Sequence, residues 1–233
     1  MPMSVADRLP AALRLPSGMR ASIAALQDAA APASAVLPAA ALAHARTLGS
    51  RRSLEFLGAR VLAAPLLDAA GFPGFALLPD ADGSPAWPDG AWGSLSHSRG
   101  LAFVACGRRP GDALGFGIDL EHAERFGPRL HRAVLTPSER ARLAPDDVFT
   151  PVATFCAKEA FYKAQWPCAH LHLGFMDAEV LWQSPERHAD GSLSADFVID
   201  CPRFVQALPG IRPKGRAVLV DSLAAAWVSI ARA

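Results

Sequence analysis

The sequence predicts a globular protein of mixed helices and antiparallel strands. Half of its residues are hydrophobic and 19% are charged, a composition that builds a core rather than a disordered chain. A helix pair followed by strand-like runs begins near residue 37 and again near residue 135, and the last third alternates turn residues with β-rich runs. A chain of 233 residues suffices for one large domain or two small halves sharing a core.

Residues 1–36 are rich in Ala and Pro with little periodicity, and "GMRASIAALQDAA" has room for one short strand or helix. From Pro38 a helical stretch begins. Gly49-Ser50 divides it in two, and Gly71 is its expected stop. The run "FPGFALLPDADGSPAWPDG" is a loop with room for one short hairpin. A turn holding Ser96-His97-Ser98 then leads into a strand over 101–106, and "ALGFGIDLE" reads as a buried strand. "LTPSERARL" has helix-start chemistry: Thr136, Pro137 in the first turn and Glu139 three residues after the Thr. A second helix covers roughly 150–165 and stops at Pro167, and three antiparallel strands follow.

The formal charge of +1 supplies no bulk field for nucleic acid or an anionic membrane. Cys106, Cys156, Cys168 and Cys201 lack zinc-site spacing and read as small buried hydrophobes. The N-terminus has no continuous apolar signal segment, and no window has the length of a membrane span. A cytoplasmic protein is the expectation.

Four places could carry chemistry. In a strand, Asp119 and Glu121 point to one face. Such paired carboxylates are either a solvated strand exit or hard oxygen ligands suited to Mg²⁺. In "FCAKEAFYK", Glu159 and Lys163 share a helix face. An exposed pair there would be worth a few tenths of a kcal/mol, but the surrounding aromatic residues leave little polar face to solvate it. Packed against the "GIDLE" strand, Glu159 would become a third oxygen ligand and Lys163 would face the anion the metal holds. His97, between Ser96 and Ser98, sits in a segment suited to an anion cradle. Arg51 or Arg52, with Arg60, lie about two turns apart as a phosphate-binding stripe.

These blocks, "RRSLEFLGAR", "GSLSHS", "GIDLE" and "FCAKEAFYK", in this order resemble the motifs of 4'-phosphopantetheinyl transferases. The match is closest to the surfactin- and enterobactin-synthase-associated type, and it spans residues 51–167. The resemblance implies an α+β fold of two similar halves with pseudo-twofold symmetry, divided as 1–112 (the CoA 3'-phosphate side) and 113–233 (the metal motifs). Coenzyme A would bind between the halves with Mg²⁺ on its pyrophosphate. Asp119, Glu121 and Glu159 match the metal ligands. Lys163 matches a phosphate-contacting Lys, and His97, with Ser96, falls near the CoA phosphates. Arg51 or Arg52, with Arg60, fall at the 3'-phosphate. Lys158 would contact CoA or sit at the edge of its site.

The implied activity is transfer of the phosphopantetheine arm of CoA to a serine of an apo acyl or peptidyl carrier protein, with Glu159, Lys163 and His97 as catalytic groups. The implied protein is a monomer without nucleic-acid or membrane partners. The competing readings are a Mg²⁺-dependent nucleotide or pyrophosphate hydrolase and a non-catalytic module that binds CoA or carrier. The sequence departs from the family pattern in three places. Gly58-Ala59-Arg60 stands where Ala-Gly-Arg is common, Cys156 replaces a usual Ser, and "DGSPAWPDG" has no basic residue beside its Pro.

Overall fold

The first helix, α1 (Val5–Leu13), packs with the far end of the chain. The computed structural model describes residues 4–232. They divide into one unit of Leu15–Pro110 and another that joins the described part of Met1–Arg14 to Gly111–Ala233. The division at 112/113 would instead leave α1 with the first half; its outermost residues, 1–3 and 233, lie outside the described residues.

Leu15–Pro110 opens with β1 (Met19–Ala25) and the short helices α2 (Leu26–Ala30) and α3 (Ala33–Val36). The helical stretch divides at Gly49 as expected, into α4 (Ala39–Arg46) and α5 (Ser50–Ala69). The loop after α5 holds one bridge, Pro79 to Pro85. Then β2 (Ala91–Ser98) and β3 (Leu101–Arg108) complete an antiparallel sheet of order β1-β3-β2. Ser96-His97-Ser98 is therefore strand rather than turn. It pairs with Phe103, Ala102 and Leu101, and Arg99-Gly100, both at positive φ, make the actual turn. Helix α5 lies on this sheet. A Cβ at Gly58 would come within 2.9 Å of Leu26 Cδ2 and 3.1 Å of Leu26 O, so the glycine admits α2 closely against α5.

The second unit contains β4 (Ala113–His122), α6 (Pro128–Val134), α7 (Pro137–Ala141) and α8 (Phe149–Ala169). There follow β5 (Glu179–Trp182), β6 (Glu186–Arg187), β7 (Leu193–Asp200), α9 (Pro202–Ala207), β8 (Lys214–Val220) and β9 (Leu223–Ala231). The sheet order is β4-β9-β8-β7-β5, with β6 also on β7 and every pairing antiparallel.

Two expectations are corrected in this unit. Helix α8 runs past Pro167 to Ala169, because proline in a last turn forfeits little before His170 closes the helix in the left-handed region on Trp166 O. The final segment holds more than three strands. "GRAVLVDSLAAAWVSIAR" folds back on itself at Asp221, whose φ of 54° suits the tight turn between β8 and β9.

Helix α1 was invisible to periodicity in an Ala/Pro-rich stretch. It is held by fully buried Leu9 and Leu13, and by Arg216 Nε and Trp227 Nε1 donating to the carbonyls of Ala12 (3.3 Å) and Leu13 (2.8 Å). Those two bonds satisfy carbonyls that a helix end leaves open.

Candidate active site

The face of β4 that meets α8 consists of Gly115, Gly117, Asp119 and Glu121, alternate residues of one strand. Side chains are excluded from the first two positions. A Cβ at Gly115 would overlap the carbonyl oxygen of Ala164, and one at Gly117 that of Ala160. The strand thus presses against the helix backbone, and the two carboxylates continue the same face along the preceding turn of α8. Asp119 and Glu121 are each 6% exposed.

Helix α8 brings Glu159 and Lys163 to this face. Lys163 Nζ donates to Asp119 Oδ1 at 2.7 Å and to Ile118 O at 2.9 Å. Glu121 Oε1 accepts the backbone N–H of His122 at 2.8 Å. Burial pushes the Glu159 carboxyl up, the charge of Asp119 pushes it further, and Lys163 opposes both. Cys156, fully buried one turn earlier, has its thiol raised by burial and then by Asp119 and Glu121. It is an inert packing residue. Beside Glu159 stands an aromatic wall, with ring centroids 5.2 Å apart for Phe126–Phe155, 5.4 Å for Phe155–Phe175 and 5.7 Å for Tyr162–Phe175.

Lys158 is corrected from a CoA contact to a structural residue. It is fully buried, and its three protons go to Glu139 Oε2 (2.7 Å), Val134 O (2.9 Å) and Phe175 O (2.8 Å). An ammonium has three donors, so none is left for a ligand. Burial lowers its pKa, against the pull of Glu139.

In the other unit, His97 is half exposed, with Nε2 3.8 Å from Glu55 Oε2, and Arg51 Nε donates to Glu55 Oε1 at 3.0 Å. Ser96 is turned to the opposite, buried face of β2, so its side chain does not share a face with His97. Arg60 Nε donates to Leu77 O at 3.1 Å while its guanidinium lies 4.2 Å from the centroid of Phe56. Burial lowers its pKa to about 10. Among the described residues neither Arg52 nor Arg60 has a carboxylate partner. Arg52, Phe56 and Arg60 follow one another at i, i+4 and i+8 on α5.

Comparison with known proteins identifies the family. Residues 37–107 match the 4'-phosphopantetheinyl transferase N-terminal domain, and 115–199 match the 4'-phosphopantetheinyl transferase superfamily. The 4'-phosphopantetheinyl transferase PptT of Mycobacterium tuberculosis is 36% identical over 65% of this chain and 67% of its own. The 4'-phosphopantetheinyl transferase Svp of Streptomyces mobaraensis is 34% identical over 76% and 73%, respectively. The chain belongs to the 4'-phosphopantetheinyl transferase family.

In this member of the family the donor chemistry fits a hard divalent cation. Asp119 is bonded to Lys163, Glu159 lies close enough to feel both charges, and Glu121 follows Asp119 on the same face of β4, so the donors are hard carboxylate oxygens. They do not form a closed cage: among the described residues no three His, Cys, Asp or Glu side chains are grouped to hold a metal. Lys163 Nζ is bonded to Asp119, and Glu121 Oε1 accepts the N–H of His122. Three residues of these sites escaped the sequence. Glu139 was legible as a helix cap but not as the partner of Lys158. Glu55 was legible only as an i,i+4 partner of Arg51. Tyr162, the single tyrosine, has a buried hydroxyl with no partner among the described residues.

Proposed function

We infer that this protein transfers the 4'-phosphopantetheine arm of coenzyme A to a serine of an apo acyl or peptidyl carrier protein. The observation that supports it best is the β4 face carrying Asp119 and Glu121, where Asp119 meets Glu159 and Lys163 of α8, in a member of this family. The serine oxygen attacks the β-phosphorus of CoA, the bond from that phosphorus to the bridging oxygen breaks, and 3',5'-ADP leaves with the oxygen. Such transfers depend on positioning and charge neutralisation.

Asp119, Glu121 and Glu159 are proposed to hold Mg²⁺, which when bound supplies Lewis-acid stabilisation of the pyrophosphate. Glu159, the acid that α8 carries to this face, takes the serine proton. Lys163 stabilises charge on the transferring phosphate. Arg52, Arg60 and His97 are assigned to the phosphates of CoA, Arg52 in preference to Arg51 because Arg51 Nε donates to Glu55 while Arg52 has no carboxylate partner among the described residues. A monomer in the cytoplasm belongs to the same proposal. Among the described residues no helix is long and apolar enough to cross a membrane.

The test is intact-protein mass spectrometry of apo carrier proteins incubated with this chain, CoA and Mg²⁺, against an EDTA control. A metal-dependent gain of one phosphopantetheine is expected. No gain with several carriers, despite CoA binding, would leave a binding module. Breakdown of CoA in the absence of carrier would favour the hydrolase.

A further inference from the structure

Lys163 makes both of its hydrogen bonds to consecutive residues of β4, the Ile118 carbonyl and the Asp119 carboxylate. The side chains differ in exposure: Lys163 is 32% exposed and Asp119 only 9%. The more accessible ammonium therefore covers part of the more buried carboxylate. A lysine is a compact charge on a flexible four-carbon stem, so it can leave without disturbing the backbone of α8. The acid set also stands unclosed, as described above. Together these features describe a site whose metal position is partly taken by a side chain of the protein itself.

We propose that Lys163 and the divalent cation compete for Asp119, so that Lys163 must leave the carboxylate before the metal set is complete. The proposal rests on the assignment of Asp119, Glu121 and Glu159 to the metal. In the free protein the lysine is a placeholder that limits repulsion between Asp119 and Glu159. When an anionic phosphate arrives, it draws the ammonium off Asp119, and the carboxylate becomes available to the cation. One residue then couples arrival of the phosphates to loading of the metal.

Competition at Asp119 differs measurably from simple repulsion of a cation by a nearby lysine. Mn²⁺, which accepts the same hard oxygen ligands, is titrated by water-proton relaxation into the free protein without CoA. The wild type, Lys163→Met, Asp119→Asn and the double variant are compared, with Lys163→Gln as a second replacement and thermal melting to verify folding. Lys163→Met should tighten Mn²⁺ binding by on the order of tenfold, the scale of one charge within contact distance. That gain should vanish when Asp119 is already Asn. A gain that persists in the Asp119→Asn background would show general repulsion and overturn the proposal, as would no gain from either Lys163 replacement. If Asp119→Asn alone leaves Mn²⁺ binding to the wild-type background unchanged, the metal assignment itself fails, and the competition falls with it.

Discussion

Lys158 Nζ lies 2.7 Å from Glu139 Oε2, with the two side chains 0% and 4% exposed. Glu139 also accepts the N–H groups of Thr136 and Val180, each at 2.7 Å, so one carboxylate ties α7, α8 and β5 together. Removing one partner of such a pair strands a buried charge. Lys158→Met should cost about 3–5 kcal/mol, read as a lowered urea midpoint. Pairing it with Glu139→Gln should cost less than the sum of the single changes. An additive pair would mean the two side chains act independently.

Gly117→Ala tests the close approach of β4 to α8. The added methyl meets the Ala160 carbonyl rather than a movable side chain, and overpacking of this kind costs about 1–3 kcal/mol. For a chain of this size that is roughly 2–4 °C of melting temperature per kcal/mol. Transfer activity should fall as well, because the shift moves Glu159 away from Asp119. Unchanged melting and turnover would show that the helix has room to yield.

Glu159→Gln should reduce transfer by about 10²–10⁴-fold, the usual contribution of a general base; near-normal turnover would remove Glu159 from that role. The same variant has a pH signature in EDTA. The folded carboxyl is raised above its unfolded value. Below the unfolded value it is neutral in both states. As pH rises toward the folded value the unfolded chain releases its proton first, and stability falls. Melting temperatures across that window should decline more steeply for the wild type than for Glu159→Gln.

Arg51 and Arg52 are adjacent in sequence, yet Glu55 holds only the first. Arg52→Ala should raise the KM for CoA about tenfold, the scale of one hydrogen bond to a charged group, with little change in kcat. Arg51→Ala should have a smaller effect. With 3'-dephospho-CoA as substrate the Arg52 effect should disappear. The reverse order would transfer the assignment to Arg51.

The sequence was most legible where local chemistry is strict. The break at Gly49, the cap formed by Thr136 and Glu139, and the acid pair at 119 and 121 each follow from short-range geometry, and each stands in the structure. Partnership over distance was not legible. Lys158 and Lys163 lie five residues apart on one helix, and nothing local tells which is sealed in by Glu139 and which reaches Asp119. The glycines of "GFGIDLE" are a sign that could have been used, since two alternate glycines on one strand face mark the approach of another backbone. Ser96 was misplaced because a run of small hydroxylated residues suits a turn as readily as a strand, and pairing with β3 decides it.

The anchoring of α1 has a consequence for truncation. Trimming a dozen residues from a chain end is ordinarily harmless. Here it would strip two leucines from a hydrophobic interior, each worth about 1.5–3 kcal/mol of burial, and take from Arg216 Nε and Trp227 Nε1 the acceptors that now lie at 3.3 and 2.8 Å. A fragment starting at Ala113 would carry every acid of the proposed metal set and still be an unfinished fold. The missing piece is written at the opposite end of the sequence, and supplying Ser4–Arg14 as a separate peptide should restore it.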